Sequence, residues 1–289
     1  MSPSVVSFVI PAVFVFLWAT GFVVARFVVP YVDPMTFLTA RFVIAAAMLA
    51  GVAVIARAPW PITARAWRDV LIAGLLMQGV YLGGVFWAVA HGLPAGVSAL
   101  IAATQPLLTA LLAKPLLGET VSRGRWIGVA IGSAGVALVL MPRLGGRDAY
   151  PAAALAASAI SVLGITFGTI WQKRTGAAGD LRTGTAIQFG GSALLAFAVA
   201  LLTESGRFES RLEVWLGFAW SIFGLSIGAV GLLLVMIRRS AVVGVASLLF
   251  LVPPVAALLG YVFFRETLTA VQFVGVAVAT LGVALASRG

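Results

Sequence analysis

Long apolar stretches separated by short polar connections follow one another along this chain of 289 residues. A helix needs about 20 mainly apolar residues to cross the hydrocarbon core of a bilayer. The apolar blocks are long and continuous, whereas strands would give short segments of alternating polarity. The pattern therefore predicts ten membrane-spanning helices, at residues 8–29, 35–55, 70–90, 95–117, 124–141, 151–171, 183–202, 214–237, 241–264 and 270–286.

The second half of the chain repeats part of the first at a fixed offset. Residues 98–138 align without a gap on residues 245–285, and 14 of the 41 positions are identical. Apolar sequence gives chance matches, but a shared proline and a shared Glu-Thr pair at one offset indicate an internal duplication. The matched pairs include Pro106 with Pro253, Glu119 with Glu266, Gly128 with Gly275, and Gly135 with Gly282.

The duplication predicts two domains, residues 1–145 and 146–289, with five spans in each. Because five is an odd number, the second copy enters the membrane with the opposite orientation. Inverted repeats of this kind form the two interchangeable faces of many secondary transporters, with a substrate site near the midplane.

Composition supports the membrane prediction and limits the chemistry. Hydrophobic residues make up 62% of the chain, charged residues 10%, and the mean hydropathy is +1.11. The chain has no cysteine and a single histidine, His91, so a metal site or a cofactor is not expected. The net charge of +10 reflects loop residues that set orientation rather than nucleic-acid binding. Twelve Lys and Arg residues fall in connections on one side and five on the other, which predicts two cytoplasmic termini.

Acidic residues are absent from the middle of every predicted span. All nine fall in loops or at span ends, so no carboxylate is placed to relay protons. We also expect no basic residue at mid-depth, because Arg26 and Arg41 lie near the outer ends of the first two spans. These two expectations favour facilitated diffusion or exchange of an uncharged or zwitterionic substrate.

Polar but uncharged side chains do occur at mid-depth, where they are expensive unless they have a partner or face a wet cavity. Gln78 and Tyr81 lie three residues apart and so share a helix face. Each polar residue has two open interpretations, hydrogen bonding between helices or the lining of a cavity. Trp18 and Trp220 offer flat apolar walls with one N–H donor each. The other candidates are Gln105, Ser161 and Ser247.

Prolines interrupt the fourth and ninth spans at matching positions. A proline inside a helix leaves a carbonyl without its partner and permits a kink or hinge. Transporters often break their helices at corresponding places in both halves. The sequence thus predicts hinges at Pro106, Pro253 and Pro254.

These motifs resemble the EamA-type repeat of the drug/metabolite transporter superfamily. The resemblance covers nearly the whole chain, since two copies occur in the expected order. Within that superfamily the chain is most similar to the YddG-type exporters of aromatic and other amino acids. The residues that carry the resemblance are 95–106 (AGVSALIAATQP), 116–119 (LLGE), 126–128 (WIG), 135–138 (GVAL), 16–26 (FLWATGFVVAR) and 40–42 (ARF).

The resemblance implies an all-α membrane protein of ten transmembrane helices, formed by two inverted five-helix EamA repeats around a central cavity. It further implies alternating access, a location in the inner membrane, small-molecule substrates such as amino acids, no cofactor, no nucleic acid, and a monomer or dimer in the lipid bilayer. The residues that it places at the cavity are Trp18, Gln78, Tyr81, Gln105, Ser161, Leu163, Trp220, Ser247 and Phe250.

Other functions stay open at this point. The same fold could export nucleosides, sugars or drugs. A membrane enzyme that acts on lipid would need a cluster of His, Asp or Glu near an interface, which this sequence does not provide. A channel subunit or a scaffold is a third class, and electrical recordings would separate a channel from a carrier.

Overall fold

A computed structural model of the chain describes residues 3–118, 120–141, 150–175, 179–239, 248–265 and 269–288. The first half contains α1 Pro3–Val28, α2 Pro34–Ile55, α3 Ala64–Ala90, α4 Ala95–Ala102, α5 Gln105–Leu117 and α6 Arg123–Leu140. The second half contains α7 Ala152–Arg174, α8 Leu181–Thr203, α9, α10 Val252–Phe264 and α11 Ala270–Arg288. Helix α9 consists of Leu212–Trp220, a wider segment Ser221–Ala229, and Val230–Arg239.

Each of the ten predicted spans contains helix within these residues. Among the described residues, seven stretches are long and apolar enough to cross a membrane, which makes the chain an all-helical, multi-pass membrane protein. Two shorter apolar helices, Val252–Phe264 and Ala270–Gly282, follow them. The count of ten crossings and the inverted arrangement of the halves stay predictions. The domain boundary predicted at residue 145 falls outside the described residues.

Local sequence explains where several helices begin and end. The first free amides of α3, α6 and α8 are capped by the side chains of Thr63, Ser122 and Asp180. Helix α5 ends at Gly118 with φ 71°, and α10 ends at Arg265 with φ 56°. These two residues are equivalent in the duplication, so both copies end this helix in the left-handed conformation, although only the first has the favoured glycine there.

Several contacts between helices are matched by a contact between the equivalent helices of the other repeat. Helix α2 packs along α8, and α6 packs along α11, so that each is paired with its own repeat equivalent. Helix α3 contacts α7, and correspondingly α1 contacts α9. In the same way α5 contacts α7 while α10 contacts α1. Such pairing is what a pseudo-twofold relation between the two copies would produce.

Glycines allow the closest of these contacts. A Cβ atom on Gly135 of α6 would collide with the backbone of Gly275 and Ala279 in α11. Reciprocally, a Cβ atom on Gly282 of α11 would collide with the backbone of Gly128 and Gly132 in α6. Small residues at such spacing let helix backbones approach closely in lipid. The contact is self-complementary, as expected for two copies related by a twofold axis.

A polar clasp joins the connection before α2 to the connection between α8 and α9. The carboxylate of Glu204 accepts hydrogen bonds from the amides of Met35 and Thr36, at 2.6 and 2.8 Å, and so caps α2. The carboxylate of Asp33 accepts from the Ser205 hydroxyl at 3.0 Å and from the Arg207 amide at 2.9 Å. Both halves of the chain are thereby connected at one end of the bundle.

The clasp predicts a pH-dependent stability. Partial burial raises the pKa of the Asp33 carboxyl, but the Arg207 and Ser205 hydrogen bonds and the Arg207 charge outweigh it, and the pKa falls below its usual value. A lowered pKa means that the stabilisation is complete above about pH 4 and is lost as the pH falls below it. We therefore expect Asp33→Asn to lower the melting temperature at pH 7 and to flatten its decrease in acid.

Melting curves of the detergent-solubilised protein from about pH 3 to pH 7 measure this effect. Glu209→Gln removes a more exposed carboxylate from the same connection and is the matched control. An acid limb of equal steepness in Asp33→Asn and in the wild type would refute this role of Asp33.

Candidate functional site

One narrow cavity lies inside the bundle between α1, α2, α3 and α9. Its volume is about 30 Å³. Four helices from both halves of the chain contribute to its wall, as expected for a ligand site between helices of a bundle. The lining residues are Trp18, Gly21, Phe22, Arg41, Gln78, Tyr81, Leu82, Val85, Leu225, Ala229 and Val230.

Two aromatic side chains form one wall of this cavity. The rings of Trp18 and Tyr81 are stacked with their centroids 5.8 Å apart, and the indole N–H of Trp18 donates to the Tyr81 hydroxyl at 3.1 Å. Phe14 packs on the other side of Trp18 at 5.1 Å. The Tyr81 hydroxyl can in turn donate its own proton to an acceptor in the cavity. Gln78 lines the cavity as well, one helical turn before Tyr81.

Two of the wall helices contain wide π-helical segments at equivalent positions. The first, Leu75–Val80, interrupts α3 and carries Gln78. The second, Ser221–Ala229, interrupts α9 and carries Leu225 and Ala229. Adding the repeat offset of 147 to residues 75–80 gives 222–227, which lies inside the second segment. Segments of this kind are rare and occur frequently at functional sites.

A basic side chain also reaches the cavity, which the sequence analysis did not expect. Arg41 is seven residues into α2, about 10 Å along the helix axis at 1.5 Å per residue. Its side chain is 1% exposed, lines the cavity, and donates from Nε to the Ser226 hydroxyl of α9 at 3.0 Å. The sequence placed Arg41 near the outer end of its span, and it did not predict that the side chain reaches the cavity. The signal was available, because one charged residue in an otherwise uncharged span indicates a functional site.

The structure brings together only some of the predicted site residues. Trp18, Gln78 and Tyr81 share the cavity. Gln105 is buried beside α7 instead, where its amide donates a long 3.4 Å hydrogen bond to Thr169. Ser161 is buried where α7 packs on Gly84 of α3, and its hydroxyl donates to the carbonyl of its own helix at Ser158.

Two other candidates lie on the outside of the bundle. Leu163 and Trp220 are 45% and 41% exposed, because their positions on α7 and α9 turn away from the packed faces of those helices. Trp220 donates to the Thr20 hydroxyl of α1 at 2.8 Å. Ser247 lies outside the described residues, and the structure describes only the backbone of Phe250, in the turn Leu248–Leu251.

The three prolines predicted to be hinges lie in the first turns of helices. The fourth span is interrupted at Ala103 and Thr104, and Pro106 is near the start of the following helix α5. In the ninth span the turn Leu248–Leu251 precedes Pro253 and Pro254 in the first turn of α10. A proline has no cost there, since the first amides of a helix have no partner in the helix. The interruptions coincide in the two copies, while movement about them stays a prediction.

The side chains that line the cavity are suited to binding a ligand rather than to catalysis. Among the described lining residues, the polar groups are one guanidinium, one amide, one phenol and one indole N–H, and none of these is a general base for hydrolysis. Within the described ranges, no group of three or more His, Asp or Glu side chains could hold a metal ion. His91, the single histidine, stacks on Trp87 at 3.7 Å on the exposed end of α3.

A sequence model of the EamA-like transporter family matches residues 6–141 and 152–288 of the chain. The two matches fall on the two halves that the duplication defines. Protein PecM of Dickeya dadantii is 29% identical over 262 residues, covering 90% of this chain and 85% of that protein. The uncharacterized inner membrane transporter YedA of Escherichia coli K12 is 25% identical over 274 residues, covering 94% of this chain and 88% of that protein.

A plant relative and a solved structure extend the comparison. A WAT1-related chloroplastic protein of Arabidopsis thaliana is 27% identical over 282 residues, and the match covers 93% of this chain but 66% of that protein. A protein of known crystal structure superposes with a TM-score of 0.75 over 97% of this chain and 96% of its own, at 20% identity. At that identity the superposition supports the fold alone.

Proposed function

We propose that this chain, which belongs to the EamA-like transporter family, exports small metabolites across the inner membrane by alternating access. The substrates that fit best are amino acids, including those with aromatic or other bulky apolar side chains. In this respect it would act as the YddG-type exporters do. Both termini are cytoplasmic in this proposal, as the distribution of Lys and Arg in the connections favours.

The observation that carries the proposal is the cavity between α1, α2, α3 and α9. An amino acid needs partners for a polar head and a surface for its side chain. The cavity supplies polar groups at Arg41, Gln78 and Tyr81 and an aromatic wall at Trp18. This combination suits an amphipathic solute better than a sugar, which would need many hydrogen-bonding groups and few aromatic or aliphatic walls.

The pseudo-twofold pairing of helices supports alternating access. Two copies of five spans, inserted in opposite orientations, can exchange roles so that the cavity opens first to one side and then to the other. The matched interruptions before Pro106 and Pro253 give each half a point at which a span can bend. The matched π-helical segments at the cavity provide a second place for movement.

The acidic residues support a mechanism without a proton relay. The ones that the structure describes lie in connections or near helix ends, and Asp33 and Glu204 are engaged in the clasp. Transport would then follow the substrate gradient or an exchange. We expect amino acids to move without an imposed pH difference.

Counterflow in proteoliposomes tests the proposal. Vesicles loaded with unlabelled phenylalanine should accumulate labelled phenylalanine with no pH gradient, and leucine should compete more strongly than uridine or glucose. Empty vesicles and a proton ionophore are the controls. Absence of counterflow for every amino acid, or a strict need for a proton gradient, would contradict the proposal.

A further inference from the structure

The guanidinium of Arg41 is the least satisfied polar group in the cavity wall. Its side chain is 1% exposed, and Nη1 is buried without a hydrogen-bond partner. The one hydrogen bond found for it is that from Nε to Ser226, at 3.0 Å. The Phe42 ring lies 5.8 Å from the guanidinium carbon, a contact that compensates only weakly for lost hydration.

No carboxylate of the chain neutralises this charge in the part that the structure describes. The ion pairs found there involve other arginines. Two acidic residues at the start of α2 already have other partners. Asp33 accepts hydrogen bonds from Ser205 and Arg207, and Glu204 accepts them from the first amides of α2. An arginine keeps its proton in proteins, so the cavity holds one fixed positive charge.

An uncompensated buried charge is costly, because it has lost water and gained no counter-ion. Such a residue in a membrane protein indicates a ligand or partner of opposite charge. The other polar groups on the wall, the Gln78 amide, the Tyr81 hydroxyl and the Trp18 N–H, are neutral. A single positive charge in a narrow cavity with aromatic walls therefore suits a ligand that has one negative charge and an apolar body.

We propose that Arg41 binds the carboxylate of the transported substrate, and that the site selects small monocarboxylates with an aromatic or aliphatic body. The planar fork of the guanidinium can donate two parallel hydrogen bonds to a carboxylate. Ser226 holds the Nε edge of the fork in place, and Nη1 is left without a hydrogen-bond partner. An ammonium group is not required, because none of the described residues that line the cavity is acidic. The inference rests on the proposed transport function and narrows its substrate class.

Three ligands of nearly the same shape distinguish the effect of ligand charge from the effect of ligand size. Phenylalanine and 3-phenylpropionate carry the carboxylate, with and without an ammonium group, while 3-phenylpropionamide has neither charge. The measurement is the ligand-induced rise in melting temperature of the purified full chain, followed by competition in counterflow. We expect the two carboxylates to stabilise the wild type and to compete, and the amide to do neither.

Arg41→Gln is the decisive variant. Its affinity for both carboxylates should fall about tenfold to a hundredfold, the loss expected for a charge-assisted bidentate contact. Its melting temperature without ligand should equal or exceed that of the wild type, since an unpaired buried charge has been removed. Arg65→Gln makes the same change on a side chain that is 84% exposed and should behave as the wild type.

The outcomes separate this inference from the proposed transport function. If the wild type bound carboxylates but showed no amino acid counterflow, and Arg41→Gln abolished the binding, the carboxylate site would be supported and the transport proposal would be contradicted. Amino acid counterflow that persists unchanged in Arg41→Gln, or that the amide inhibits equally, would overturn the inference alone. If Arg41→Gln were less stable without ligand but bound carboxylates as tightly as the wild type, Arg41 would have a purely structural role. That result would also overturn the inference.

Arg41→Lys decides the matter if Arg41→Gln cannot be purified. Lysine keeps the charge but replaces the planar fork by a point charge, so carboxylate affinity should fall by about tenfold without being lost. Unchanged affinity in Arg41→Lys would contradict the bidentate contact, and equal binding of the amide would contradict the role of charge.

Discussion

Valine at both Gly135 and Gly282 is expected to prevent the protein from folding into a stable bundle. Each glycine lies where a Cβ atom would collide with backbone atoms of the opposite helix, Gly135 with Gly275 and Ala279, and Gly282 with Gly128 and Gly132. Backbone cannot turn aside as a flexible side chain can, so α6 and α11 must separate along their length. Their separation would break the contact between the last helices of the two repeats.

The expected loss is large for a glycine substitution. Inserting atoms into a well-packed site costs about 1–3 kcal/mol and occasionally more, and a collision with backbone belongs at the upper end. The two single variants should be destabilised to a similar extent, because the contact is symmetric. The measurement is the melting temperature and the monodisperse yield in detergent.

A glycine on α2 provides the matched control. A Cβ atom on Gly51 would meet nothing within 4 Å, so Gly51→Val should melt close to the wild type. If the double variant at Gly135 and Gly282 were as stable as Gly51→Val, the close approach of α6 and α11 would be wrong.

Trp18→Ala is expected to abolish transport. The indole forms the aromatic wall of the cavity, stacks on Tyr81 at 5.8 Å, and donates to its hydroxyl at 3.1 Å. Truncation removes the surface on which an apolar side chain would lie and leaves Tyr81 without its partner. The void should also cost about 3–5 kcal/mol of stability, the range for aromatic residues cut to alanine in a core.

Trp18→Phe separates these two effects. Phenylalanine keeps much of the bulk and loses the N–H donor, so this variant should fold and transport with weaker apparent affinity. Trp215→Ala removes a tryptophan that is 54% exposed, and its counterflow should match that of the wild type. Normal counterflow by folded Trp18→Ala would exclude Trp18 from the substrate path.

The pattern of apolar stretches was sufficient to predict a helical membrane protein, and the duplication predicted its two repeats. Helix length in a membrane depends on local composition, which a single sequence records directly. The duplication also identified Gly135 and Gly282 as equivalent residues, and the structure explains their identity by a reciprocal contact.

The candidate site was harder to predict, because it depends on which face of each helix points to the cavity. Gln105 and Arg41 are both polar residues in apolar spans, yet Gln105 packs beside α7 and Arg41 reaches the cavity. Leu163 was placed at the cavity by the family resemblance, and its side chain is 45% exposed. The π-helical segments of α3 and α9 change the direction in which nearby side chains point. The hydropathy of the sequence does not predict these segments.

Thiol labelling tests the central claim, that substrate occupies the cavity between α1, α2, α3 and α9. The chain has no cysteine, so a single introduced thiol reports without background. Leu82 lines the cavity, whereas Ile62 is 97% exposed in a connection and provides the control. Saturating phenylalanine or 3-phenylpropionate should slow the labelling of Leu82→Cys and leave that of Ile62→Cys unchanged. Equal labelling rates of Leu82→Cys with and without these ligands, in a protein that carries out counterflow, would contradict the account.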